Sequence, residues 1–312
     1  MATGSKKVIY AALAGNTLIA LTKFIAAGIT GSSAMISEGI HSLVDTGNQV
    51  LLLYGMKRAK KPADERFPFG HGKEIYFWSF VVAILIFALG AGISIYEGVI
   101  HILHPKPVSD TFINYIVLGL AILFEGAAWL FAFKEFTAAK GKWGYIEAVQ
   151  RGKDPTMFVV LFEDSAAILG LTVALVGILL ADLTGILYFD GIASILIGFI
   201  LGGTAVWLAY ETKGLLIGEA ANLPVRRGIS EIVQKANYVE HVNEILTMHM
   251  GPDYILVNIS IDFVDDAVAE DIENTVSKMD KEIKQRYPNV KRIFIEAEKR
   301  FKNIGGQSKN SA

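Results

Sequence analysis

Six stretches of this 312-residue chain are apolar over enough consecutive residues to demand a lipid environment: 8–30, 33–56, 75–103, 112–136, 156–181 and 186–212. A helix needs about 20 mostly apolar residues to cross about 30 Å of hydrocarbon. The expected fold class is therefore an α-helical membrane protein with six transmembrane helices in residues 1–212. Composition points the same way, because 19% of residues are charged against about 25% in soluble domains. A formal net charge of -2 argues against a nucleic-acid partner. The chain has no cysteine, which excludes disulfides, thiolate metal sites and cysteine nucleophiles. The start, "MATGSKKVIYAALAG", runs from a basic end into a full-length apolar segment. It reads as a first membrane helix rather than a cleaved signal.

Basic residues set the expected orientation. With the N-terminus inside, the inner segments collect Lys6, Lys7, Lys57, Arg58, Lys60, Lys61, Arg66, Lys73, Lys140, Lys142, Arg151 and Lys153. The outer connections hold little beyond Lys106. Cations favour the cytoplasmic side of spanning helices, so both termini are expected in the cytoplasm. From residue 213 the chain becomes charge-rich. Residues 213–300 read as a small cytoplasmic α+β domain in the order αββαβ, with "YILVNISIDF" alternating Val257, Ile259, Ile261 and Phe263 against Asn258, Ser260 and Asp262. Residues 301–312, "FKNIGGQSKNSA", read as a disordered tail.

The second apolar segment contains "ISEGIHSLVDTGN". An acidic residue at the centre of an inserting helix costs roughly 2.5–3.5 kcal/mol. Glu38, His41 and Asp45 lie three and four residues apart, which puts them on one stripe facing the bundle. Intramembrane ionisable groups are usually functional and paired. The available partners are Asn16, Glu125, and the adjacent Glu163 and Asp164. At about 1.5 Å of rise per residue, Asn16 and Asp164 lie roughly 12 Å from the cytoplasmic helix ends and Asp45 roughly 17 Å. One imidazole and two or more carboxylates at one level suit Zn2+ or a similar first-row ion. His41, Asp45 and Asp164 form the core of the candidate metal set. The fourth position is open between Glu163, Asn16 and water, while Glu38 and Glu125 are candidates for proton transfer or for supporting the ligands. Glu163 lies about 100° round its helix from Asp164.

A second candidate sits in the loop "ADERFPFGHGKE", where glycines on both sides of His71 let the backbone turn and expose the ring. Asp64 and His71 form a possible cytoplasmic metal site there, and a docking turn with Lys73 and Glu74 is the alternative. His101 and His104 at an outer helix end read as interfacial.

These residues resemble the cation diffusion facilitator family, six-helix transporters that export divalent metal in exchange for protons. The resemblance rests on "SEGIHSLVDTGN" and "FPFGHGKEI", with "DGIASILIG" and "KGLLIGEA" in support. It implies a central site built from an H/D-x3-D pair on helices two and five. His41 and Asp45 supply the first pair and Asp164 half of the second, while Val160 stands where the family usually has histidine. That pattern is similar to the branch holding the mitochondrial zinc exporters and their bacterial relatives. Phe67 replaces a loop histidine often found in zinc-transporting members. The closing-strand positions hold Glu296 and Glu298, with His249 and Asp253 as substitutes for cytoplasmic ligands.

The resemblance implies a metal efflux transporter in a prokaryotic inner membrane, working as a homodimer, and not an enzyme. Zn2+/H+ antiport by alternating access is the first reading. Losing a histidine makes the site richer in oxygen, which raises Fe2+ and Mn2+ as alternative cargo. No resident cofactor is expected. A metal-sensing receptor and an intramembrane metal-dependent enzyme are the readings from other classes. Against the enzyme stands the lack of an H-E-x-x-H motif.

Overall fold

The computed structural model describes residues 2–105 and 111–300; Lys106 and the 301–312 tail lie outside the described residues. The chain forms two compact units, Met1–Leu216 and Ile217–Ala312. The first holds helices α1 (Ala2–Thr30), α2 (Ser33–Ala59), α3 (Glu74–Leu85), α4 (Gly92–Leu103), α5 (Thr111–Lys140), α6 (Tyr145–Arg151), α7 (Pro155–Thr184) and α8 (Tyr188–Ile217). A π-helical segment, Ile86–Ala91, joins α3 to α4. Wide turns of this kind interrupt α-helices locally, and Gly90 and Gly92 lower α-helical propensity at this point.

Helix ends follow local chemistry. The Ser32 hydroxyl caps α2 by accepting the Met35 N–H at 3.2 Å. Asp154 caps α7 by accepting the Thr156 N–H at 3.1 Å, Pro155 fits the first turn, and Gly185 ends the helix at φ 70. Helix α2 is the hub, packing against α1, α3, α4 and α7, while α5 lies against α1 and α7. Met35, Tyr76, Phe158, Leu171, Ile178, Ile197 and Leu208 fill the interior. Leu18, Leu43, Phe112, Leu123, Leu183, Phe199 and Tyr210 face outward. An outer surface this rich in large apolar side chains suits lipid contact.

Among the described residues, four helical stretches are long and apolar enough to cross a membrane: Glu74–Leu103, Thr111–Ala138, Phe158–Thr184 and Tyr188–Ile217. Within α1, Asn16–Thr30 is an apolar helical stretch among the residues whose side chains are described. Helix α2 has the length, at 27 residues, but its central polar residues dilute its apolarity. Those same residues are buried inside the bundle.

The second unit runs α9 (Leu223–Gln234), β1 (Val239–Gly251), β2 (Tyr254–Phe263), α10 (Ala269–Arg286) and β3 (Val290–Ala297). The strand order is β1-β2-β3, antiparallel between β1 and β2 and parallel between β2 and β3. Ile255, Val257, Ile259 and Ile261 form the buried face of β2, meeting Ile229, Ile232 and Val233 of α9 and Met279 and Ile283 of α10. The two-residue period of the strand therefore sets its inner face.

Helices α4 and α8 meet backbone to backbone. A Cβ at Gly98 would lie 2.6 Å from the Gly191 carbonyl oxygen, and one at Gly191 2.9 Å from the Gly98 carbonyl oxygen. Small residues allow such an approach between membrane helices. Gly98→Ala is expected to destabilise the protein by about 1–3 kcal/mol through overpacking. Gly47→Ala, where nothing lies within 4 Å, is expected to be neutral or slightly stabilising. Thermal unfolding in detergent measures both.

Candidate metal centre

Helix α2 buries Glu38, His41, Asp45 and Asn48, and this polar stripe meets a different neighbour at each level. At the first level, Lys23 of α1 places its Nζ 3.0 Å from Glu38 Oε2 and 2.7 Å from Ser42 Oγ. Both charged side chains are fully buried. A buried charge needs a partner and hydrogen bonds, and each member of this pair supplies the other's. Glu38 Oε1 lies against Gly170 of α7, where any Cβ would collide with it.

At the next level, His41 Nδ1 and Asp45 Oδ1 approach to 3.3 Å without the alignment of a hydrogen bond. Among the described residues, both His41 ring nitrogens and Asp45 Oδ1 are buried without a hydrogen-bond partner. The Asp45 carboxyl is in hydrogen-bonding contact with Glu163 of α7. Glu163 Oε1 also accepts Asn48 Nδ2 at 2.7 Å. Two carboxyl groups in contact require a positive charge between them, a proton or a metal ion. This is the chemistry of a cation site joining α2 to α7.

The sequence candidates divide on this geometry. His41, Asp45 and Glu163 come together. Asp164 is buried beside Glu163 but makes no hydrogen bond to α2 among the described residues. Glu125 is buried, within electrostatic reach of Glu38, Asp45, Glu163 and Asp164. Asn16 is half-buried. Among the described residues, no three His, Asp or Glu side chains stand ready to hold one ion. A three-ligand site would therefore need side chains to move or a donor of another type.

The loop candidates do meet. His71 Nε2 lies 2.9 Å from Asp64 Oδ2, and Asp64 Oδ1 accepts the Phe67 N–H at 2.7 Å. The His71 contact, then the Phe67 N–H, holds the Asp64 carboxyl below its ordinary range. The Phe67 ring packs on His71 at 4.6 Å, and Arg58 pairs with Glu74 at 2.8 Å. These contacts are those of a docked turn. In the second unit, Glu298 accepts Ser260 Oγ at 2.9 Å, and His249 pairs in register with Ile255. The Glu298 amide bonds the Ile261 carbonyl. Six residues along β2 thus separate His249 from Glu298, about 20 Å at 3.3 Å per residue.

Sequence reasoning omits three participants. Lys23 is a cation inside an apolar segment, a signal equal to that of Glu38. Asn48 continues the stripe one turn beyond Asp45. Asp190 of α8 is fully buried and accepts Ser32 Oγ at 2.5 Å, Ser33 N at 2.6 Å and Ser33 Oγ at 2.9 Å. It therefore anchors the start of α2, with His101 Nε2 at 3.7 Å.

Lys23→Met is expected to cost about 3–5 kcal/mol by stranding Glu38, and Lys23→Met/Glu38→Met to recover most of that loss; unfolding midpoints in detergent report both. For the loop, the contribution of Asp64 is complete at neutral pH, above the ordinary carboxylate value, and is lost as pH falls through the depressed value. Asp64→Asn is expected to increase exchange of the Phe67 amide at pH 7, read by hydrogen-exchange mass spectrometry.

Residues 9–217 match the cation efflux transmembrane domain family. The chain is 30% identical over 333 aligned positions to the mitochondrial proton-coupled zinc antiporter SLC30A9 of Xenopus laevis, covering 94% of this chain and 59% of that protein. Identity to the human protein of the same description is 32%, covering 83% and 46%. The manganese efflux system protein MneP of Bacillus subtilis is 21% identical, covering 93% and 95%. The chain thus spans about half the length of the zinc-antiporter relatives. With two-thirds of its residues inside the matched domain, the chain belongs to the cation efflux family, a family of transporters and not of enzymes.

Proposed function

We propose that this protein exports divalent transition-metal ions across a membrane in exchange for protons, with Zn2+ as the first cargo. The observation that carries the reading is the buried contact between Asp45 of α2 and Glu163 of α7, beside a His41 ring with no hydrogen-bond partner. Metal binding requires deprotonated ligands, so one set of groups can hold either the ion or protons. His41, Asp45 and Glu163 form the proposed transport site, with Asp164 as the adjacent carboxylate of the same turn. Alternating exposure of this site to the two sides of the membrane converts that competition into antiport. Homology to proton-coupled zinc antiporters supports the cargo and the counter-ion. Mn2+ is the second reading, favoured by the oxygen-rich donor set and by similarity to a manganese efflux protein.

The proposed topology has six spans, α1 and α2 joining the four apolar ones, with both termini cytoplasmic as the basic residues favour. A prokaryotic inner membrane is the proposed location. A homodimer is proposed through the sheet face opposite the α9–α10 core. There Leu246, Asn258 and Phe294 are in register across the three strands, with Leu246 and Phe294 exposed.

Proteoliposomes containing the full chain, under an imposed pH gradient, test this reading. Zn2+, Fe2+ and Mn2+ uptake is measured for the wild type and for Asp45→Ala. Gradient-driven uptake by the wild type, reduced to empty-liposome background in Asp45→Ala, is expected. No uptake of any metal, or uptake that survives Asp45→Ala, contradicts the proposal. Glu163→Gln is expected to reduce uptake at least as much as Asp164→Asn, because Glu163 makes the contact with α2.

A further inference from the structure

The transport site proposed above has one imidazole and two carboxyl groups joined through Asp45, which meets His41 and Glu163 in turn, one donor short of the four that first-row ions commonly take. The residue that follows them on α2 is Asn48, fully buried. It stands three residues beyond Asp45 and seven beyond His41, the spacing that keeps side chains on one face of a helix.

The orientation of its carboxamide follows from its contact with Glu163. Asn48 Nδ2 lies 2.7 Å from Glu163 Oε1. A carboxylate only accepts, so the amide nitrogen has to face it. The amide oxygen is thereby turned away from Glu163, and it is buried with no hydrogen-bond partner. Leaving such an acceptor unsatisfied costs about 1–3 kcal/mol. Asp45 Oδ1 and both His41 nitrogens share that condition. Asp45 Oδ1 and Asn48 Oδ1 are acceptors that receive no hydrogen bond among the described residues, His41 Nδ1 standing 3.3 Å from Asp45 Oδ1 out of alignment. A cation satisfies such a set where a hydrogen-bond donor is missing.

We propose that Asn48 is a metal-coordinating residue that sets cargo selectivity, its amide nitrogen holding Glu163 in place and its amide oxygen serving as the fourth donor. The inference rests on the transport site proposed above. A carboxamide oxygen is a hard, uncharged donor. It adds affinity for oxygen-preferring ions such as Mn2+ more than for Zn2+, which favours nitrogen and sulfur. Because it carries no charge, it adds a ligand without adding a group that must lose a proton before metal binds. It also gives the site a fourth donor without a second histidine, which matches the Val160 on α7.

The experiment compares Asn48→Leu, Asn48→Asp and Asp45→Ala with the wild type in proteoliposomes, measuring KM and kcat for Zn2+ and for Mn2+ at one pH gradient. Asn48→Leu removes both the donor and the acceptor. It is expected to raise KM for Mn2+ by about tenfold or more, the scale for losing a metal-site partner, and KM for Zn2+ by clearly less. Asn48→Asp retains an oxygen at the same reach and is expected to keep Mn2+ uptake while lowering the Mn2+-to-Zn2+ KM ratio. Equal shifts for the two metals in Asn48→Leu point to a purely structural role and overturn the inference, as does an unchanged KM. Should Asn48→Leu fail to fold, an unchanged KM ratio in Asn48→Asp overturns it. A wild type that takes up Zn2+ and no Mn2+ also overturns it. Uptake that survives Asp45→Ala overturns the transport site itself, whatever Asn48 does.

Discussion

A charge removed from water must be matched by another, and the buried stripe of α2 is arranged around that requirement. Its two acidic residues are matched in different ways. Glu38 has a permanent partner in Lys23, which reaches it from α1 at 3.0 Å. Among the described residues Asp45 has no lysine or arginine in contact and meets a second carboxyl group, Glu163, instead. The first arrangement is closed by a fixed cation; the second is balanced by a proton or a bound cation. Glu38 is thus better read as a fixed structural counter-ion than as a carrier of protons or metal. The exchangeable charge is proposed for Asp45, two turns further along α2.

The rest of the membrane unit holds that stripe in register. The start of α2 is fixed by the Ser32 cap and by Asp190 of α8, which accepts from both serines there. A carboxylate at a helix N-terminus is also favoured by the helix dipole. Near the other end, Arg58 of α2 pairs with Glu74 of α3. Between these anchors α2 touches α1 through Lys23 and α7 through Glu163. A movement that separates α2 from α7 therefore opens the Asp45–Glu163 contact while leaving the Lys23–Glu38 pair intact. That separation of roles suits the alternating access proposed for this site.

Much of this was legible in the sequence because hydrophobic length and helical spacing are strong signals. The apolar segments correspond to α1, α2, α3 with α4, α5, α7 and α8, and the His41–Asp45 spacing alone puts both residues on one face. The period-two pattern of 254–263 gave the buried face of β2. Other features depend on contacts that spacing cannot supply. The π-helical turn at Ile86–Ala91 is invisible in an unbroken apolar run. The family pattern expects Asp164 at the centre, and the hydrogen bonds between α2 and α7 among the described residues run through Glu163, one residue earlier. Which of two adjacent carboxylates faces α2 depends on the rotation of α7 about its axis, and packing fixes that rotation. Lys23 and Asn48 are different, since their positions carried a signal. A lysine in an apolar helix implies a buried anion, and an asparagine at the seventh position from His41 continues the stripe.

The proposed antiport requires one location for the ion, between α2 and α7. Anomalous diffraction at the zinc edge, from crystals of the full chain grown with Zn2+, locates it directly. A peak is expected within coordination distance of His41, Asp45 and Glu163, about 2.0–2.2 Å for nitrogen and oxygen ligands. Density confined to the Asp64–His71 turn or to the second unit, with the α2–α7 contact unchanged and empty of metal, would contradict it.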